Sequence, residues 1–328
     1  MTGRRSSPRV PAVDVVIPVH DGAAHIGACV SALARQTVRP ARVIVVDDES
    51  TDGGAELAIA ALRGAGLPSV LISLERRSGP GAARNRGLAA TTAPLIWFVD
   101  ADDTVADNAL ELLLDALGDN DFAVCRATFV SADGRVLGID EPPPPASQVS
   151  GHEFVHLLIA GTMRAYPTTK LFRRGVLGDR PWDEVRRYED MAAMVGLALR
   201  ARAVALIADA PYHYRRHAVS ASNTFDVATL ELLAMPSRVR SRATDAGYRV
   251  SRADLAAFAL RESVFPVAHL AMRSGGGPLA HLAIQLARAR IAVRELVIVA
   301  ACGQLRLAAA AVVLKTCPGV YARVLRRR

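Results

Sequence analysis

The sequence predicts an α/β fold, a mostly parallel, Rossmann-like sheet flanked by helices, with an α-helical C-terminal extension. Three observations predict it. Short apolar runs alternate with amphipathic segments through the first half of the chain, as repeated β-α units require. One of those runs, Leu95 to Val99, gives way abruptly to Asp100, Asp102 and Asp103. Buried parallel strands are near-continuous apolar runs, and open α/β sheets bind ligands just beyond strand carboxyl ends. From about Phe225 onward the chain is rich in Ala and Leu and reads as helix alone.

The elements follow in order. The opening residues are basic, and the apolar run behind them ends at Pro18 and Asp21 without a small-residue cleavage site. Residues 1–11 therefore read as a tail before the first strand, not as a signal peptide. Strands are expected at Asp14–Pro18, Arg42–Asp47, Ser69–Leu74, Pro94–Val99 and Phe122–Phe129. Helices are expected near Ala23–Gln36, Gly53–Arg63, Gly81–Ala90 and Asp107–Ala116. The proline run Glu141–Pro145 is a hard break between residues 12–140 and 146–225. Beyond it, Ser150–Ala160 and Tyr188–Ala201 read as helices and Val204–Ala208 as a strand. Residues 226–328 form the helical extension, split at Gly275–Gly277. Leu296–Leu314 is apolar, yet Gln304 and Arg306 sit at its middle. A charge at a bilayer centre costs about 2.5–3.5 kcal/mol, so a buried or interfacial helix is expected there.

Composition narrows the function. The chain has 328 residues, 51% of them hydrophobic but only 5% aromatic, so the core rests on Ala, Val and Leu. Cys29, Cys125, Cys302 and Cys317 are far apart and form no CxxC pair. That excludes a disulfide framework or a zinc knuckle and fits a reducing, cytoplasmic compartment. The net charge is +8 and is unevenly placed. Residues 1–250 hold 28 Lys/Arg against 29 Asp/Glu, and residues 251–328 hold 12 against 3. A solvated helical face is the plain account of that excess. The functional account is peripheral contact with anionic lipid headgroups at the inner face of the cell membrane. No nucleic-acid partner is expected.

Three strand ends carry polar groups. The first gives Pro18, Val19, His20, Asp21 and Gly22; the second gives Asp47, Asp48, Glu49, Ser50 and Asp52; the fourth gives Asp100, Asp102 and Asp103. Strand ends of a parallel sheet lie on one side, so these acids converge. Like charges so close repel unless a cation compensates. A hard divalent cation that also binds a diphosphate would do so. The plainer account makes Asp102 or Asp103 the cap of the helix that follows. Between the strand ends lies Arg77–Gly87, with glycines for close backbone approach, a helix N-terminus that favours an anion, and Arg84 and Arg86. That segment follows the third strand, and the first turn lacks GxGxxG spacing, so a dinucleotide dehydrogenase is disfavoured.

Residues His152–His156, HEFVH, match the HExxH zinc-peptidase pattern. Ser150-x-x-Glu153 is also a capping box, which accounts for Glu153 without chemistry.

The stretches VVIPVHDGAAHIGACVSALARQT, VIVVDDESTDG, GPGAARNRGLAATTAPLIWFVDADD, KLFRR and YEDMAAMVGLALRARAVALIADAPYHYRRHAVSAS, in that order, resemble the inverting family 2 glycosyltransferases of GT-A fold. The resemblance covers roughly residues 12–225. It implies a nucleotide-binding half, 12–140, and an acceptor half, 146–225. It implies that Pro18, Val19, Asp21 and Asp48 contact the nucleotide. It places Asp100 and Asp102 on the DxD motif that holds the nucleotide through ribose and Mn2+ or Mg2+, with His217 as a further metal ligand. Lys170, Arg84 and Arg215 fall on the donor side, and Asp190 on the catalytic base. The implied partners are a nucleotide-sugar donor, a UDP-sugar in the common case, and a glycan or lipid-linked acceptor. Two further classes compete: a non-catalytic nucleotide-sugar binding protein, and the zinc peptidase above. Two positions depart from the family pattern: His20 stands where Tyr is commoner, and Glu49 where Gly is usual.

Overall fold

The computed structural model describes residues 11–216 and 224–325. The first half runs β1 (Val13–Val19), α1 (Ile26–Ala34), β2 (Arg42–Asp47), α2 (Gly54–Gly64), β3 (Ser69–Ser73), α3 (Pro80–Ala89), β4 (Leu95–Phe98), β5 (Thr104–Val105) and α4 (Ala109–Leu117). Then come β6 (Phe122–Val124), β7 (Ala127–Val130), β8 (Val136–Ile139), β9 (Gln148–Ser150), α5 (Gly151–Ala160), β10 (Lys170–Arg173), α6 (Arg174–Leu177), α7 (Asp190–Arg200), β11 (Ala203–Leu206) and β12 (Tyr212–Arg215). The remainder is helical: α8 (Met235–Asp245), α9 (Arg252–Ala259), α10 (Phe265–Arg273), α11 (Pro278–Ala289), α12 (Val293–Ala301), α13 (Leu305–Thr316) and α14 (Pro318–Leu325).

Two compact units divide the chain. The first contains the chain up to Val149, Tyr166–Trp182 and Ala201–Arg215; the second contains Ser150–Ala165, Asp183–Arg200 and the chain from Arg216. Segments 150–165 and 183–200, which the sequence places in an acceptor half, thus cluster with the C-terminal helices.

The first unit is built on an eight-stranded sheet of order β3-β2-β1-β4-β10-β6-β11-β9. Strands β1, β2, β3 and β4 are mutually parallel, with Val16 opposite both Ile44 and Phe98. Strand β10 runs antiparallel to both its neighbours, β4 and β6. Side chains alternate between faces along a strand. Val15, Ile17, Val45 and Trp97 pack with Ile26, Val30 and Leu33 of α1, Leu62 of α2, and Leu110 and Leu113 of α4. Val16 and Val46 face the other way, against α3. There Gly87 comes so near that a Cβ would overlap a Val16 methyl and lie 3.0 Å from Val46 Cγ2. Phe98 meets Trp182 edge-on at 5.4 Å between ring centres. Helices on both faces therefore follow from strands whose buried apolar side chains point to both sides.

Three expectations change. Phe122–Phe129 is not one strand. It breaks at Cys125 and Arg126, and its halves enter different sheets: β7 joins a four-stranded sheet of order β5-β12-β7-β8. Arg126 fixes the break by donating to the carbonyls of Glu141 and Ala208. The tyrosine-rich stretch after Pro211, for which no element is expected, is strand β12, parallel to β7. Leu296–Leu314 is two helices, α12 and α13, interrupted around Gly303, whose φ of 82° suits glycine alone.

In the second unit α5 opens with a complete capping box. Ser150 Oγ accepts from Glu153 N–H, and the Glu153 carboxylate accepts from Ser150 N–H at 2.7 Å. Glu153 of the HEFVH motif is thus committed to the helix start, and His152 lies against the Tyr248 ring at 5.1 Å. Helices α9 and α10 form one continuous 22-residue run, long and apolar enough to span a bilayer by length and composition; its most apolar 18-residue window has a mean hydropathy of 1.3, and half of that window is buried inside the fold. A π-helical turn at Leu260–Val264 joins them, just before Pro266, which has no N–H to continue the ladder.

Candidate active site

The carboxyl ends of β1, β2 and β4 lie side by side because these strands are parallel and adjacent. Each end contributes its acid. The β1 end turns through Asp21, whose φ is 49°. Its carboxylate accepts from the Thr51 N–H at 2.8 Å and the Thr51 hydroxyl at 3.2 Å, and its own N–H donates to Ser50 Oγ at 3.1 Å. The first two loops are thereby laced together. The Thr51 N–H, followed by the nearby His20, holds the Asp21 carboxyl below the ordinary aspartate value. Pro18 and Val19 form the end of β1, opposite Val46 and Asp47.

Asp48 is buried and bridges to the glycine loop. Its two oxygens accept from the N–H groups of Ser78 at 2.6 Å and Gly79 at 2.8 Å. Its carbonyl hydrogen-bonds His20 Nδ1 at 2.8 Å. Gly79, at φ 89°, precedes Pro80 at the start of α3; a fixed proline φ suits that first helical position. The departure at Glu49 also has a structural side. Glu49 sits at φ 63°, where glycine is the easy choice. Its carboxylate accepts the Arg77 N–H at 2.9 Å and so adds a second tie to the same loop.

Helix α3 then brings Arg84 beneath the third acid cluster. Arg84 is 4% exposed and donates to Asp100 Oδ1 at 2.8 Å. Its guanidinium lies 6.0 Å from the Trp182 ring centre. Trp182 is held in turn by Asn85. The Asn85 amide donates to the Trp182 carbonyl at 2.9 Å and accepts the Trp182 N–H at 3.1 Å. Nothing in the sequence signals this clamp, whose two residues stand 97 positions apart.

The turn Asp100–Asp103 has a division of labour. Asp103 N–H bonds back to the Asp100 carbonyl at 3.2 Å. Asp103 is 2% exposed, and its oxygens accept from the Tyr212 hydroxyl at 2.7 Å and the Arg215 N–H at 2.8 Å. The Tyr212 hydroxyl also accepts the Asp100 N–H at 3.2 Å. Burial first, then Asp102 and Asp100, raise the Asp103 carboxyl well above the ordinary range. The Cys29 thiol beneath, donating to the Asp100 carbonyl at 3.6 Å, is likewise raised by burial, which makes it an inert thiol. Asp103 and Tyr212 are a brace that sequence reading missed. The signal was present: a third acid directly after the DxD pair.

The remaining candidates are placed as follows. Arg215 lies on β12, its side chain donating to the Ala132 carbonyl at 2.9 Å. Lys170 is fully buried, and its ammonium donates to the Tyr166 carbonyl at 2.7 Å and Thr169 Oγ1 at 3.2 Å. Asp190 belongs to the second unit, where it begins α7; its carboxylate accepts from the Met191 N–H at 2.8 Å. Tyr188, two residues earlier, has φ 62°. His217 lies outside the described residues.

Among the described residues no group of three or more His, Cys, Asp or Glu is arranged to hold a metal ion. A cation at the acid turn would have to complete its shell with phosphate oxygens. Asp103 is tied off and Asp100 shares one oxygen with Arg84; Asp102 and the other Asp100 oxygen are the carboxylates that would hold such a cation. Hard divalent ions are commonly held by one or two carboxylates plus substrate phosphates.

Comparison with known proteins gives the family and the fold. The family model for glycosyl transferase family 2 matches residues 14–180. GlyG, a glycosyltransferase of Streptococcus pneumoniae, is 26% identical over 227 residues, 66% of this chain and 74% of GlyG. EpsH of Bacillus subtilis is 27% identical over 214 residues, and the match spans 63% of this chain and 61% of EpsH. The succinoglycan biosynthesis protein ExoO of Rhizobium meliloti is 40% identical over a shorter 134 residues, 39% of this chain and 37% of ExoO. The crystal structure of S. aureus TarS 1-349 in complex with UDP-GlcNAc superposes with a TM-score of 0.66 at 19% identity, covering 96% of this chain and 90% of that one. A parallel sheet whose adjoining strand ends gather Asp21, Asp48 and Asp100 around a glycine loop, matched by the family model over half the chain, makes this protein a member of glycosyltransferase family 2 with the GT-A fold.

Proposed function

We propose that the protein transfers a sugar from a nucleoside-diphosphate donor, a UDP-sugar, to a hydroxyl of a glycan or lipid-linked saccharide with inversion at the anomeric carbon. The observation that carries the reading is the convergence of Asp21, Asp48 and the Asp100–Asp102 turn at one sheet edge, beside the N-terminus of α3. The UDP-GlcNAc bound to TarS supports the choice of donor. Relatives named for succinoglycan biosynthesis and for poly(ribitol-phosphate) glucosylation support an envelope or secreted glycan as acceptor.

In this reading the first two loops take the nucleoside, with Asp21 and Asp48 fixed by the hydrogen bonds described. Arg84 holds the Asp100 carboxylate in one rotamer, and the Asp103–Tyr212 brace holds the turn that carries Asp102. Asp102, with Asp100 beside it, would hold Mn2+ or Mg2+, which would supply positive charge to offset that of the departing diphosphate. Asp190 accepts the proton of the acceptor hydroxyl as that oxygen attacks the face opposite the nucleotide. One base suffices, because a single in-line displacement inverts the centre without a carboxylate nucleophile.

Calorimetric titration with UDP, GDP and dTDP, each with and without Mn2+, tests the donor site. Metal-dependent binding of UDP above the other two is expected. Equal or absent binding of all three with metal present refutes the donor assignment. Product anomer analysis by proton NMR tests inversion separately.

A further inference from the structure

The outer faces of the last four helices carry a pattern that the transfer reaction does not use. Of the fourteen large hydrophobic residues that are exposed among the described residues, eight fall on α11–α14. They recur at helical spacing: Leu282 and Leu286, Val293 and Val297, Leu305 and Val312, Val320 and Val324. Steps of four or seven residues put each pair on one stripe of its helix. The inner stripes are occupied separately, by Ala283 and Ala287, Leu296 and Val299, and Ala308, Ala311 and Leu314. Helices α11, α12 and α13 are therefore apolar on two sides, one packed and one bare. A solvated helix places charged side chains where the bare stripe lies.

The charges that are present have one sign. After Glu262 the only acidic residue is Glu295, itself half-buried. Two cations are turned inward: Arg288 donates to the Lys315 carbonyl at 2.8 Å, and Lys315 to the Ile291 carbonyl at 2.7 Å. Arg290, Arg294, Arg306 and Arg323 remain exposed. Three of these adjoin a bare apolar residue in sequence: Val293 with Arg294, Leu305 with Arg306, and Arg323 with Val324. Neighbours on a helix are about 100° apart, so each arginine flanks a stripe, its stem along the apolar surface and its head free to reach outward.

We infer that the outer face of α11–α14 is a docking surface for an anionic phospholipid bilayer. Apolar side chains insert among the acyl chains, and the flanking arginines meet headgroup phosphates. Charge complementarity selects this occupant. A second copy of the same face would bring arginine against arginine with only the half-buried Glu295 to offset them, a like-charge arrangement that opposes association. The inference is independent of the sugar donor, and its test needs no turnover.

The test is cosedimentation of the full chain with phosphatidylcholine vesicles containing or lacking 30% phosphatidylglycerol, at about 0.1 M and 0.5 M salt. Binding to the anionic vesicles, weakened at the higher salt, is expected. Each arginine near an anionic surface contributes about fivefold in partitioning, so the Arg290→Glu/Arg294→Glu/Arg306→Glu variant should lose roughly a hundredfold. The Val293→Ser/Val297→Ser/Leu305→Ser/Val324→Ser variant should lose at least tenfold while its circular dichroism is unchanged. No vesicle binding by the wild-type chain overturns the inference, as does binding that both variants retain. A dimer seen by light scattering that the serine variant abolishes, without vesicle binding, assigns the face to a second copy instead.

Discussion

Replacing Tyr212 with phenylalanine isolates the brace beneath the acid turn. The ring of Tyr212 is fully buried and keeps its packing in the variant, so only one oxygen is lost. That oxygen makes two bonds: it donates to the buried Asp103 carboxylate at 2.7 Å and accepts the Asp100 N–H at 3.2 Å. A buried polar group left without its partner costs about 1–3 kcal/mol, and the longer second bond contributes about 0.5–1.5. The expected loss is about 3 kcal/mol, read as a lower urea midpoint at unchanged m. The turn that carries Asp100 and Asp102 should loosen with it, lowering Mn2+-dependent UDP affinity about tenfold. Asp103→Asn should cost a similar amount, because an amide NH2 would face the Arg215 N–H or the Tyr212 hydroxyl. The double variant should fall well short of the sum, since both changes break one bond. Unfolding and nucleotide affinity both equal to wild type in Tyr212→Phe would refute the brace.

Other outcomes are equally concrete. Asp190→Asn should bind UDP and Mn2+ normally yet lose at least about a hundredfold in kcat, the usual contribution of a general base; near-normal transfer places the base elsewhere. Gly87→Ala should destabilise the first unit by about 1–3 kcal/mol, because the new methyl overlaps Val16 and crowds Val46 in a close-packed interior; thermal or urea unfolding reads it. Glu153→Gln should lower the melting midpoint at pH 7, and by less at pH 3. The Ser150 N–H and hydroxyl hold the Glu153 carboxyl below its ordinary value of 4.5, so that contribution is present above pH 4.5 and is lost as pH falls through the lowered native value. A melting difference that does not shrink as pH falls would assign the effect to something other than the carboxylate.

Much of the first unit was legible because β1, β2 and β4 carry buried apolar runs and acids follow at their carboxyl ends. Helix α5 and its cap were legible from Ser150 and Glu153 alone. Less legible were features set by distant partners. The strand break at Cys125 and Arg126 depends on carbonyls of Glu141 and Ala208, which no local pattern announces. Strand β12 reads as polar because only Tyr212 of its four residues is fully buried. The same distance effect hid the roles of Asp103, Asn85 and Trp182, whose partners are 97 or more positions away. Glu49 is the instructive case: a family pattern flags the missing glycine, and the positive φ explains the pattern.

The place of β10 between β4 and β6 bears on how the chain is made. Strand β4 ends at Phe98, but the neighbour that covers its open edge ends at Arg173. On the ribosome that edge, with the backbone of Leu95, Ile96, Trp97 and Phe98, stays unpaired while the intervening residues are synthesised. At 5–20 residues per second the interval is roughly 4–15 s. Unpaired strand edges of this composition recruit other chains. Nascent chains held between these two strands therefore expose that edge for the whole interval, and slower synthesis lengthens the exposure.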